Sequence, residues 1–274
     1  MDSTDWLPDR DRFSVVMAVI LLAYAVARFV QAPGGVLGLE IAGIYLPLQI
    51  GIGTMVAVLV AGLTASGTDW LLRDNPRLIE RNRYSHLLLP AMTAWILSLP
   101  LANLPVSPAW WGAFGISAFL IFAIIVAEFN SISLENRFYS LAVLSLTALS
   151  YALFLILAIS IRGLGLRLYL ALPAIGIGAF LTSARIHFLR SSLPWRPLQS
   201  LVVAFVIAEI ASALHYLPVS ALGYGLALLG LIYAISQYLA SLNLGMESRA
   251  AAREPLFILS GFIVLAIVIS VVSP

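Results

Sequence analysis

Residues 139–161 read YSLAVLSLTALSYALFLILAISI, twenty-three positions without a single charge. At 1.5 Å per residue, a helix of that length reaches across a hydrocarbon core of ~30 Å. The same kind of run recurs on both sides of it. Nine candidate spans follow from the sequence: 13–31, 47–66, 85–103, 108–128, 139–161, 168–185, 198–216, 220–240 and 256–273. The stretch QAPGGVLGLEIAGIYL (31–46) is too apolar for an ordinary loop, and joined to the second span it would be too long. It is expected to be interfacial or re-entrant.

Composition agrees with the spans. Of 274 residues, 61% are hydrophobic and 10% charged, and mean hydropathy is +1.01. A soluble domain would carry roughly 25% charged residues. The fold class is therefore all-α, a polytopic membrane helical bundle. Its expected partner is the lipid bilayer, in the cell (inner) membrane, and nothing in it calls for a nucleic acid.

Absent residue types narrow the chemistry. There is no cysteine, which excludes disulfides, thiolate metal sites, iron–sulfur clusters and cysteine nucleophiles. All 15 basic residues are Arg, so Schiff-base and lysine-dependent phosphate chemistry are excluded as well. There is no HExxH and no glycine-rich phosphate loop. Aspartates do not cluster in or beside a span, as metal-bound diphosphate would require. Trp195-Arg196-Pro197 lacks the lysine and histidines of a lipid-phosphatase site, and GISA (115–118) lacks the support a serine protease needs. His86 and His187 fall on one side of the membrane and His215 near the other, so the histidines form no site. No cofactor or metal is expected.

Arginine placement orients the chain. With nine spans and the N-terminus inside, twelve Arg fall in inner segments, and only Arg28, Arg162 and Arg167 fall outside. Positive residues resist translocation, so N-in and C-out is expected. The leading MDSTDWLPDRDR has neither a positive n-region nor a small-residue cleavage site, so the first span is expected to be retained.

The tetrapeptide LPVS occurs at Leu104–Ser107 and again at Leu217–Ser220. At the same offset of 113, Gly112 matches Gly225, Ala127 matches Ala240 and Asn130 matches Asn243. Upstream, YLPLQIGIG (45–53) resembles YLALPAIGIG (169–178), and downstream FLILAIS (154–160) resembles FIVLAIVIS (262–270). The expected organisation is a single integral membrane domain in three parts. Residues 1–44 supply the tail, leading span and interfacial segment; 45–162 and 168–274 are two parallel four-span repeats. An even number of spans gives both copies one orientation, related by an axis along the membrane normal.

Polar residues inside the spans mark candidate sites. Glu209 lies about eleven residues into span seven, ~16 Å deep, where an ionised carboxylate is costly. It is expected to be buried at the midplane and to be neutral, paired or facing a wet cavity. Ser212 and Tyr216 share its helical face. In span five, Thr147 and Tyr151, with Ser140 and Ser150, form a second polar stripe. These five residues, Glu209, Ser212, Tyr216, Thr147 and Tyr151, are the candidates for binding substrate or protons. Arg28 either snorkels or pairs with Glu40, and Glu128 ends span four at the inner interface, where an acid is cheap.

The inner loop GTDWLLRDNPRLIERNRY (67–84) sets Trp70, Leu71 and Leu72 beside Arg73, Arg77, Arg81 and Arg83. Such a segment can lie on the surface and touch anionic lipid headgroups; a merely topogenic loop reads the same way. Three functions remain open: a transporter for a small or lipid-like solute with a buried acid, a structural or assembly subunit of a larger membrane complex, and an intramembrane lipid-modifying enzyme using Glu209. Membrane-protein partners or a homo-oligomer fit the second.

Overall fold

The computed structural model describes residues 9–29, 35–41, 44–50, 52–73, 83–132, 137–190 and 197–272. Among them are nine helices long and apolar enough to cross a membrane. They are α1 Arg10–Phe29, α2 Ile52–Leu72, α3 Arg83–Asn103, α4 Pro108–Asn130, α5 Tyr139–Gly163, α6 Leu168–Arg190, α7 Pro197–His215, α8 Ala221–Asn243 and α9 Ser248–Val272. The chain is a multi-pass membrane protein.

The all-helical expectation meets one exception. Residues 35–50 contain an antiparallel pair of strands, β1 Gly35–Ile41 and β2 Ile44–Ile50, with Gly35 opposite Ile50 and Ile41 opposite Ile44. The expected start of the second span, at 47, therefore lies in a strand, and α2 begins at Ile52. Pro47 suits this: it would break a helix interior, while a two-stranded ribbon has an open edge that tolerates it.

At its other end α2 runs on through residues 67–72. Thr64 and Thr68 return their hydroxyls to the carbonyls of Val60 and Thr64, at 2.8 and 2.7 Å, so the polar residues of this turn cost little. The sixth and ninth helices are also longer than their apolar cores suggest. α6 continues past its expected end at 185, and Arg185, counted among the inner-segment arginines, is fully buried at 1% exposure.

The chain forms two compact units, Met1–Ala142 and Val143–Pro274. The division falls within α5, one helix before the boundary that the sequence repeat suggests. In the first unit α2 and α3 pack along their length, α1 lies against both, and α4 rests on α3. Ile20, Tyr24, Val60, Ala94, Trp110 and Ile121 form its core. Two polar tips are satisfied inside it. Tyr24 donates its hydroxyl to the Ala94 carbonyl, and the Trp110 indole N–H donates to Leu101 O at 3.0 Å, across the LPVS turn.

In the second unit α6 pairs with α7 and α8 with α9. The α8–α9 contact is backbone-close. A Cβ on Gly223 would lie 2.8 Å from Ala266 O, and one on Gly230 would lie 2.6 Å from the Cβ of Phe262. Gly165 and Gly245 adopt φ of +59° and +82° just past α5 and α8, the left-handed conformation that closes a helix C-terminus. The turn between α7 and α8, which holds the second LPVS, is held by Arg162. Its guanidinium donates to His215 O at 2.9 Å, Leu217 O at 2.9 Å and Val219 O at 3.3 Å, and lies over the Tyr224 ring. Free carbonyls at a helix C-terminus attract a cation. Large apolar side chains stay exposed on the helices, among them Leu22, Phe119, Phe257 and Val264, as a lipid-covered surface requires.

Candidate functional site

The residue expected to be buried at the midplane is not buried. The interior face of α7 is Ser200, Val203, Ala204, Ile207 and Ala211. Glu209 sits two positions from both Ile207 and Ala211, about 200° around the helix. It is exposed on the opposite stripe, with Leu198, Leu201, Val202 and Phe205. Ser212 is half-buried. Tyr216 lies just past the end of α7, exposed, its ring edge-on to His215.

The span-five stripe resolves into local bonds. Thr147 donates to Val143 O at 2.8 Å and Ser150 to Leu146 O at 2.7 Å, each one turn back on the same helix. Hydroxyls used this way spend their hydrogen on their own helix. Tyr151 packs its ring 5.6 Å from Tyr233, centroid to centroid.

The headgroup segment changes more. Leu71 and Leu72 are buried in the first unit as the last turn of α2, so they cannot face lipid as an amphipathic strip. Trp70 is exposed, with the Arg12 guanidinium 5.3 Å above its ring. Arg73 is exposed and bonds Asp69 at 3.1 Å. Arg77 and Arg81 lie outside the described residues, as do the side chains of Arg83 and Glu40.

What the structure brings together instead is His86 and Glu128. His86 lies in the first turn of α3 and Glu128 in the last turn of α4, both at the helix ends that the arginine count assigns to the inside. The His86 Nδ1 is 2.9 Å from the Glu128 Oε2, and the side chains are 5% and 0% exposed. Local sequence shapes the site. Pro90 has no N–H for the carbonyl four residues back, which is that of His86, so the backbone there keeps acceptor capacity. Asn130 donates to Val126 O at 2.8 Å and Ser131 to Glu128 O at 2.9 Å, closing the end of α4 behind the acid.

A second polar group lies in the other unit, near the end of α6. The His187 Nδ1 is 2.7 Å from Ser183 O; a carbonyl can only accept, so this nitrogen carries the hydrogen. Arg185, one turn from Phe188 in the same helix, stacks 5.1 Å from that ring. Gln199 at the start of α7 and Asn243 at the end of α8 bond each other reciprocally, at 3.2 and 3.4 Å. Between α6 and α7 an open groove of about 660 Å³ is lined by apolar residues, including Pro173, Ile177, Phe180, Leu201, Phe205 and Ala208. Among the described residues no three of His, Asp and Glu come together as metal ligands would.

The sequence held a signal for the His86–Glu128 pair. Both residues fall at the same membrane side, at opposite ends of consecutive spans joined by a short turn, so a hairpin must bring them level. Reading Glu128 as a cheap interfacial acid hid this, because depth in the membrane and burial in protein are separate quantities.

The chain belongs to a family described as proteins of unknown function (DUF5656), which matches residues 32–269. No curated protein and no solved structure matches it.

Proposed function

We propose that this member of the family is a proton-coupled permease of the cell membrane for a small amphiphilic or lipid-like solute. The His86–Glu128 pair is its proton-handling group. The observation that carries this reading is the burial of an ionisable pair between membrane-spanning helices. Ionisable groups are costly there and are kept where protons, ions or substrates must be handled. The pair sits within a turn of two helix ends, close enough to water to exchange protons with one side. The solute class follows from the buried polar inventory, which is largely Ser and Thr. Several of these hydroxyls are spent on their own helix, which leaves little to bind a sugar.

The two four-span repeats and the N-in orientation belong to the same proposal. The family match opens at residue 32, and so covers the hairpin and eight helices while leaving α1 aside. At the offset of 113 that aligns LPVS, His86 corresponds to Gln199 and Asn130 to Asn243. Each unit ties the start of one helix to the end of the next, by His86–Glu128 in one and Gln199–Asn243 in the other; at this offset only the His86 and Gln199 ends correspond, since Glu128 falls opposite Ser241. A structural or assembly subunit is the alternative that one observation favours: Glu209 is exposed on a membrane-spanning face.

The test is uptake into reconstituted vesicles. A quaternary ammonium dye, a fluorescent short-chain phospholipid and a sugar are offered with and without an imposed proton gradient. One amphiphile should move in a gradient-dependent way, the sugar should not, and Glu128→Gln should abolish the gradient dependence. Uptake equal to that of protein-free vesicles for all three would sink the proposal.

A further inference from the structure

We infer that a water molecule is bound inside the second unit, between α5 and α8 near the middle of the membrane, held by Ser236, Tyr151 and Thr147. Buried hydroxyls elsewhere in the spans return to their own helix. Those of Thr64, Thr68, Thr93, Ser117 and Ser150 each meet the carbonyl four residues back, at 2.7–2.8 Å. Ser236 is enclosed as fully, at 1% exposure, yet its Oγ bonds neither the Ile232 carbonyl nor any other group among the described residues. A buried hydroxyl left unbonded is costly, so something must meet it. Lipid does not reach an atom covered by protein, and water is the smallest group that both donates and accepts.

The stripe of α8 that carries Ser236 faces α5. A Cβ on Gly225, eleven residues earlier and within ~20° around the helix, would lie 2.7 Å from the Ile159 side chain and 3.0 Å from that of Leu155. Tyr233, three residues before Ser236, sets its ring 5.6 Å from that of Tyr151. Residue numbers thus rise along α8 as they fall along α5, and Ser236 lies beyond the ring pair on the Thr147 side. Tyr151 is the central residue of α5, and its hydroxyl is enclosed. Helical side chains lean towards the start of their helix, so the Tyr151 ring runs along the interface over the turn of Thr147. Thr147 spends its hydrogen on Val143 O, but its oxygen still accepts. Two bulky rings hold the helices apart, and beyond them the α8 stripe continues with Ser236 and Ala240, both small. Three oxygens around one small space are what a buried water commonly has. All three residues lie in the second unit, and the inference stands apart from the transport reading.

An X-ray pulse splits water into hydroxyl radicals where it stands, and these oxidise the nearest aromatic ring. The intact protein in lipid nanodiscs is pulsed, and the oxidation of each tyrosine is read by mass spectrometry. Tyr151 should be oxidised severalfold faster than Tyr24 and Tyr224, buried tyrosines whose hydroxyls meet the carbonyls of Ala94 and Ala211. Ser236→Val should bring the Tyr151 rate down to theirs. Ser117→Ala removes a buried hydroxyl already bonded within its helix, and should leave the rate unchanged. Ser236→Ala replaces the valine variant if that does not elute as a single symmetric peak in gel filtration. Brief mixing with heavy-oxygen water before the pulse separates a held molecule from leakage. Exposed Tyr216 should take up the heavy oxygen at once, and Tyr151 only after a delay. A Tyr151 rate equal to that of Tyr24, a rate that survives loss of the Ser236 hydroxyl, or heavy oxygen arriving at Tyr151 and Tyr216 together would each overturn the inference.

Discussion

His86 and Glu128 stand forty-two residues apart in sequence and 2.9 Å apart in space, and the fate of each depends on the other. Glu128→Ala takes from a buried imidazole its 2.9 Å partner and should cost about 1–3 kcal/mol. Glu128→Gln keeps a hydrogen-bonding group of the same size and should cost less, so the two variants should separate in thermal unfolding in detergent. Equal losses would mean that the carboxylate is only filling space. Arg162 is the second residue with a definite expectation. Arg162→Ala frees three carbonyls and should destabilise the α7–α8 turn by about 1–3 kcal/mol. Arg162→Lys should recover only part, because an ammonium lacks the planar fork that spans carbonyls at 215, 217 and 219. Protease sensitivity at 216–220 reads this directly. Glu209 shows where reading residues from a sequence stops. Its depth follows from counting, but its face follows from which neighbours are small enough to be covered, and in an apolar helix both faces are greasy.

At the scale of elements, the helices follow from the sequence closely, because apolar length is the whole signal and the bilayer sets it. The expected and observed ends of the third, fourth and fifth spans differ by two residues at most. The departures come where a helix outlives its apolar run. In α2 the turn at Thr64 to Thr68 bonds to itself, and in α6 Arg185 is carried inside by the helix it sits on. The strand pair at 35–50 was unreadable as such, since an apolar stretch with several glycines fits an interfacial segment equally well. Packing between elements yields its own prediction. Gly223→Ala puts a methyl against the Ala266 carbonyl, a backbone atom that cannot turn aside. It should cost about 1–3 kcal/mol in detergent unfolding, whereas Gly163→Ala, with open space around it, should change little. If both are silent, the α8–α9 contact is looser than the distances indicate.

For the whole molecule, the nine spans among the described residues make the topology a parity question. The N-in, C-out proposal predicts that Ser273→Cys reacts with a membrane-impermeant maleimide on intact cells and that Ser3→Cys reacts only after the membrane is opened; the reverse pattern would invert the inner and outer assignments throughout. The proposed repeat, the buried pair and the thin polar inventory combine into the proposed account, a permease whose coupling group lies between α3 and α4 and not on α7. That account is tested most directly by pyranine-loaded vesicles holding the parent protein, Glu128→Gln or Glu209→Gln, challenged with the quaternary ammonium dye and with the short-chain phospholipid. The account predicts that one of these solutes shifts the lumenal proton concentration with the parent and with Glu209→Gln, and leaves it unchanged with Glu128→Gln. Proton movement that survives Glu128→Gln and disappears with Glu209→Gln would contradict it.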